Sequence, residues 1–182
     1  LQGCLDNLNG VMTFCGKFEY HSFFKKNKIR DNVDLINEFI KKNKKLFSYD
    51  EIEDIDTNVD TEKFKNIYLK TSNVKNIDQI NFFINIYQAY HLTVNRDLKN
   101  VKALVHHSHS LENTKKCLQD FPDAKLLITI RDPRANLKSG LENWFNYDFT
   151  RRNMQHYYLY LKRIRDDLKF ALKIQNEKLF IK

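Results

Sequence analysis

The run Phe121–Trp144, FPDAKLLITIRDPRANLKSGLENW, constrains the fold more than any other part of the chain. Its apolar centre, Leu126-Leu127-Ile128-Thr129-Ile130, is short, β-branched at three positions and bounded by turn formers, which predicts a buried strand. Asp132 is suited to cap the free N–H groups of a helix, and Pro133 suits the first helical position, where no amide donor is needed. The predicted strand therefore ends at Arg131, and a helix begins within two residues of it. In an open α/β sheet such a junction lies at the carboxyl edge, where ligands bind. Arg131 beside a helix N-terminus offers a guanidinium fork and backbone donors, the groups that a phosphate requires.

The rest of the chain alternates in the same way. Leu1 to Leu8 reads as the tail of a helix closed by the turn-prone Asn9-Gly10, and Val11-Met12-Thr13-Phe14 as a strand. Cys15 to Phe24 reads as a loop holding Lys17, Glu19 and His21. Asp31 is placed to cap a helix through about Lys45, with Val33, Ile36, Phe39 and Ile40 as its apolar stripe. Asp50 to Asp60 is an acidic surface turn or linker without the glycine of an EF-hand loop. From Asn76 to Asn95, the residues Ile77, Ile80, Ile84, Tyr87, His91 and Val94 recur at helical spacing, widened by Phe83 and Tyr90. A strand Ala103–His106 runs into His107-Ser108-His109-Ser110, and a helix follows from about Leu111 to Asp120. Tyr158, Leu161, Ile164, Leu168 and Leu172 mark a long helix, and Leu179-Phe180-Ile181 a last strand. This alternation predicts an α/β fold with a mostly parallel sheet and helices on both faces. At 182 residues the chain is expected to form a single domain over 1–182.

Thirty-one Lys and Arg against 23 Asp and Glu give a formal charge of +8, which favours anionic partners without choosing among them. Much of the excess lies in runs such as Lys41-Lys42-Asn43-Lys44-Lys45, the pattern of a solvated helix surface. Three cysteines at positions 4, 15 and 117 have no metal-type spacing and leave one over in any pairing, so a reduced, cytoplasmic setting is expected. No apolar stretch approaches the ~20 residues that span a bilayer. The chain starts without Met or a signal-peptide pattern, on what reads as the inside of a helix, and a fragment is expected.

The run Phe121-Pro122-Asp123-Ala124-Lys125, the apolar strand, Arg131-Asp132-Pro133-Arg134 and then Ser139 together resemble the 3′-phosphate-binding motif of sulfotransferases. Those enzymes use the sulfonate donor 3′-phosphoadenosine 5′-phosphosulfate. The resemblance implies a P-loop NTPase-like architecture and a transfer of sulfonate to a hydroxyl or amine acceptor, carbohydrates among them. It assigns the 3′-phosphate to Arg131 and Ser139, and it calls for no metal. With a helix starting at Pro133, Ala135 and Ser139 share a face at i, i+4, leaving space for a ligand beside the serine hydroxyl. Leu1-Gln2-Gly3-Cys4-Leu5-Asp6-Asn7 looks like the helix that follows the family's 5′-phosphosulfate loop, and Glu177–Lys182 like the strand before its acidic segment. Four glycines and no GxxxxGK[ST] pattern leave that loop without a counterpart. The chain is thus expected to be truncated at both ends, to hold about half of a donor site and not to turn over.

Sulfonyl transfer needs a base for the acceptor proton. Within the resemblance, His106, His107 and His109 follow a strand where cytosolic members place a catalytic histidine, and His109 lies 22 residues before Arg131. Other relatives use a glutamate in the loop after the first strand, a region that offers Glu19 with His21 beside it, although the aligned position holds Lys17. The catalytic candidates are therefore His109, Glu19 and His107. Plainer roles stand beside these: a solvated turn with Ser108 or Ser110 capping the next helix, and a structural salt bridge for Arg131. Two rival classes are a non-catalytic nucleotide- or anion-binding module and a nucleic-acid-binding domain. For the latter, Arg151-Arg152 with Tyr157-Tyr158 is the one hint of interleaved basic and aromatic residues.

Overall fold

A computed structural model describes Leu5, 8–14, Phe18, His21, Phe23, 31–47, 59–72, 78–108, 111–128, 132–145 and 154–174. The chain divides into two compact units, Leu1–Asp120 and Phe121–Lys182. In the first, strands β1 (Val11–Met12) and β2 (Ala103–Leu104) pair in parallel, Val11 opposite Ala103 and Met12 opposite Leu104. The Asn9-Gly10 turn sets this register. Gly10 has φ +83°, and a Cβ there would lie 2.6 Å from the Asn100 carbonyl oxygen, so only glycine fits. Its own carbonyl accepts from the amides of Lys102 at 2.7 Å and Ala103 at 3.1 Å, and Met12 O accepts from Val105 N at 2.8 Å.

A parallel pair needs a long crossover, and three of its helices lie among the described residues. Helix α1 (Asn32–Lys42) is capped by Asp31, whose carboxylate accepts from Asp34 N at 2.8 Å, and a 3₁₀ turn follows at Lys44–Leu46. Helix α2 (Thr61–Thr71) is capped in the same way by Asp60, and α3 (Gln79–Thr93) by Asp78. The end of α3 is a Schellman turn with Asn95 in the left-handed region, φ 61°. There Arg96 N donates to His91 O and Asn95 N to Leu92 O. Lys63 of α2 reaches across to that end, donating to Thr93 O at 3.0 Å and Asn95 Oδ1 at 2.7 Å. A cation there meets the negative end of the helix dipole.

The core of this unit is aromatic. Phe39 of α1 is fully buried, with Phe18 edge-on at 4.8 Å and Phe23, Phe82, Phe47 and Phe64 between 5.8 and 6.1 Å. Phe14, two residues beyond β1, inserts between Tyr87 at 4.5 Å and Tyr90 at 4.6 Å on α3. Edge-to-face contacts of this kind add to the area that the rings bury. Helix α4 (Leu111–Asp120) completes the unit.

Several buried faces differ from the predicted stripes. On α1 Leu35 replaces Val33, which is 44% exposed; on α3 Phe83, Tyr87, Tyr90 and His91 are buried as predicted, joined by Phe82, Ile86, Ala89 and Thr93, while Ile80 and Ile84 are only half-buried. Helix α2 has no counterpart in the sequence reading, because only Phe64 and Tyr68 are buried along it.

In the second unit the residues 126–128 belong to no helix or strand, although Leu126, Leu127 and Ile128 are half-buried. Burial alone does not make a strand; a ladder partner is needed too. The other residues of that predicted strand, 129–130, lie outside the described residues. Helix α5 (Pro133–Phe145) starts where Asp132 and Pro133 predict, and α6 (Met154–Ile174) follows. The two pack through Gly140, which is buried against the Tyr160 ring. The Tyr160 hydroxyl also lies 3.4 Å from both the backbone and side-chain oxygens of Asn136. On α6 Ile164 is buried as predicted and Ala171 is buried with it, while Tyr158, Leu161 and Leu172 are exposed, so the inward face departs from most of the predicted stripe. The fold is therefore a mostly helical α/β arrangement with a small parallel sheet among the described residues.

Candidate functional site

Because β1 and β2 run in parallel, their carboxyl ends leave the sheet at one edge. Thr13 and Phe14 follow β1 there, and Val105, His106, His107 and Ser108 follow β2. One face of α3 lies against this edge. Gln79, Phe83 and Tyr87 recur on it at i, i+4 and i+8, a stripe roughly 12 Å long. Each of the three touches a histidine that comes from elsewhere in the chain.

His106 meets the upper part of the stripe. Its Nδ1 lies 2.8 Å from the Tyr87 hydroxyl, and the Phe83 ring stands edge-on to the imidazole at 5.0 Å and 81°. Burial drives the Tyr87 phenol far above its ordinary range, with a further push from the Cys117 thiol of α4. Tyr87 is therefore a neutral phenol at any physiological pH.

His21 meets the lower end. Gln79 Nε2 lies 2.8 Å from His21 Nδ1 and 3.2 Å from Asp120 Oδ2 at the end of α4. A carboxylate only accepts, so the amide nitrogen and not the oxygen of Gln79 faces this pair, and its second hydrogen points to His21 Nδ1. Nδ1 then accepts, and the imidazole proton sits on Nε2, 3.5 Å from Asp120 Oδ2. Burial lowers the His21 pKa; Asp120 opposes this and Lys116 adds to it. His21, helical here and not in the loop that the sequence predicts, is thus a neutral bridge that joins the segment after β1 to the start of α3 and the end of α4.

The phosphate-type motif lies in the second unit. The Asp132 backbone oxygen accepts the first helical bond from Asn136 N at 2.8 Å. Its carboxylate accepts from Arg134 N, Nε and Nη2, at 2.8, 3.2 and 2.7 Å. Those bonds hold its carboxyl below the usual carboxylate range, the Arg134 side chain chief among them. The second arginine of the motif is thereby committed to Asp132. Ser139 is half-buried on α5, on the same side as Ala135. Its Oγ accepts from Asn143 Nδ2 at 3.1 Å, which leaves the serine O–H to donate. Lys138 on the neighbouring face pairs with Glu142 at 3.7 Å.

Of the residues singled out in the sequence, His107 is exposed just beyond β2 and Ser139 is where the helix reading placed it. Arg131, His109 and Glu19 lie outside the described residues. The α3 stripe meets His106 from the stretch after β2 and His21 from the helical residues after β1. Sequence reasoning missed Gln79, Tyr87 and Asp120 as their partners. Tyr87 had been visible only as one more apolar position, and Asp120 only as the end of a helix. Among the described residues no group of three His, Cys, Asp or Glu is arranged to hold a metal ion, and no helix is long and apolar enough to cross a membrane. Compared with family models, curated proteins and solved structures, the chain has no match.

Proposed function

We propose that this chain is a sulfotransferase-type domain of P-loop-related architecture. In this reading Arg131 and Ser139 bind the 3′-phosphate of 3′-phosphoadenosine 5′-phosphosulfate, and sulfonate passes to a hydroxyl or amine acceptor, with carbohydrates one such class. The observation that carries the reading is the start of α5. The helix begins at Pro133 directly after Asp132, and it turns the half-buried Ser139 to the same side as the small Ala135, with its hydroxyl hydrogen available as a donor. The pairing of Arg134 with Asp132 supports giving the phosphate to Arg131, since the neighbouring guanidinium already has its carboxylate.

In the transfer, the acceptor oxygen or nitrogen forms a bond to sulfur as the bond from sulfur to the bridging phosphate oxygen breaks. The acceptor proton passes to a base drawn from His109, His107 or Glu19. A non-catalytic nucleotide-binding module of the same descent would share the first step and lack the second.

Calorimetric titration with adenosine 3′,5′-bisphosphate, against adenosine 5′-monophosphate as control, tests the reading. Binding that depends on the 3′-phosphate and weakens about tenfold in Ser139→Ala is expected, one charge-assisted hydrogen bond being worth that much. Equal affinity for the two nucleotides sinks the proposal.

A further inference from the structure

We propose that Tyr87 is a positioning residue that holds His106 as the neutral tautomer protonated at Nε2, so that His106 serves the carboxyl edge of the sheet as a hydrogen-bond donor and not as a base. The inference starts from the phenol. Tyr87 is 3% exposed, and among the described residues His106 Nδ1 is the one polar atom within hydrogen-bond reach of its hydroxyl. A buried O–H that finds no acceptor loses its hydration without compensation. The phenol is neutral and has a proton to place, and Nδ1 is where that proton goes. The lone pair of Nδ1 is then occupied, and the proton of the neutral imidazole sits on Nε2.

The two alternatives each leave a donor stranded. With the proton on Nδ1 donating to the Tyr87 oxygen, the phenol hydrogen has no acceptor among the described residues. With both nitrogens protonated, Nδ1–H again donates to the Tyr87 oxygen, and the phenol hydrogen is again left without an acceptor among the described residues. The groups near this pair reinforce the outcome. Phe83 from α3 fixes the ring plane, and Cys117 from α4 pushes the phenol further toward its neutral form. Whatever meets Nε2 must accept a hydrogen bond: a carboxylate, a carbonyl or an anionic oxygen. Resting on the reading under Proposed function, this gives His106 a donor's role beside a base drawn from His107, His109 or Glu19.

Nitrogen-15 NMR of the histidine-labelled chain decides the matter, because a protonated ring nitrogen and one bearing a lone pair resonate far apart. His106 is assigned by its absence in His106→Gln. At neutral pH the expected spectrum has lone-pair Nδ1 and protonated Nε2, with this tautomer in excess by roughly tenfold to a hundredfold. Tyr87→Phe, which removes only the donor, is expected to return His106 to a mixture of tautomers. A protonated Nδ1 in the wild-type spectrum overturns the proposal, and this spectrum decides even where Tyr87→Phe fails to fold. An unchanged tautomer in a folded Tyr87→Phe overturns the positioning role. Failure of bisphosphate binding with the expected tautomer intact strikes at the sulfotransferase reading alone, whereas the wrong tautomer with binding intact strikes at this inference alone.

Discussion

Replacing Leu35 or Val33 by alanine puts the register of α1 to a quantitative test. The two residues lie two apart on one helix, and a simple stripe through Val33, Ile36, Phe39 and Ile40 would bury Val33 and expose Leu35. The structure does the reverse. Leu35 is 0% exposed, as are Ile36 and Phe39, while Val33 is 44% exposed. Truncating a leucine in such a site costs the transfer of the lost methyls plus the cavity, ~2–5 kcal/mol. With Phe39 and the rings around it packed from several directions, the site has little freedom to collapse, so a value of ~3–5 kcal/mol is expected. Val33→Ala removes methyls that are already half in water and replaces a β-branched residue by the best helix former, so its cost is ~0.5 kcal/mol or less. Urea unfolding followed by circular dichroism measures both, provided the slope with denaturant is unchanged. Hydrogen exchange of the α1 amides supplies a local readout in a chain with two compact units. Equal costs for the two variants, or a larger cost for Val33→Ala, would refute the register.

Two further outcomes are expected. The folded-state pKa of His21 lies below its ordinary value of 6.5, chiefly through burial, so the stability it contributes is complete above 6.5 and is lost as pH falls through the lowered value. Urea midpoints measured across this range should fall more steeply with acid in the wild type than in His21→Gln; a wild type that gains stability from acid in this window contradicts the bridge to Gln79 and Asp120. Gly140→Ala places a methyl group inside the Tyr160 ring. Overpacking of ~1–3 kcal/mol outweighs the ~1 kcal/mol gained in helix propensity, and a thermal melt showing the variant more stable than the wild type would mean that the two helices do not meet there.

Local chemistry made some elements readable from the chain alone. Asp31 and the Asp132-Pro133 pair announce the starts of α1 and α5, and α4 keeps the limits Leu111 and Asp120 because a polar turn and Phe121-Pro122 bound it. Periodicity was less exact. On α6 a stripe of large apolar residues through Tyr158, Leu161 and Leu172 faces outward, while the inward face uses Tyr160, Ile164 and Ala171, one of them too small to stand out in a pattern. Helix α2 was hidden because two rings, Phe64 and Tyr68, are its whole buried face. The apolar run at 126–128 lacked the second requirement of a strand, a ladder partner, which no single segment reveals. The site was legible as residue types and not as partnerships. Gln79 finds His21 across 58 positions and Asp120 across 41, and Tyr87 finds His106 across 19. Such pairings follow from the packing of α3 against the sheet edge, and no spacing rule encodes them.

The central claim is that Arg131 and Ser139 hold a 3′-phosphate, and the affinity of Arg131→Ala for adenosine 3′,5′-bisphosphate tests it most directly. A charge-assisted arginine contact to phosphate is worth ~1.5–3 kcal/mol. Calorimetry should therefore find binding weakened by about tenfold to a hundredfold, with the circular dichroism of the variant unchanged. An affinity equal to that of the wild type would contradict the account.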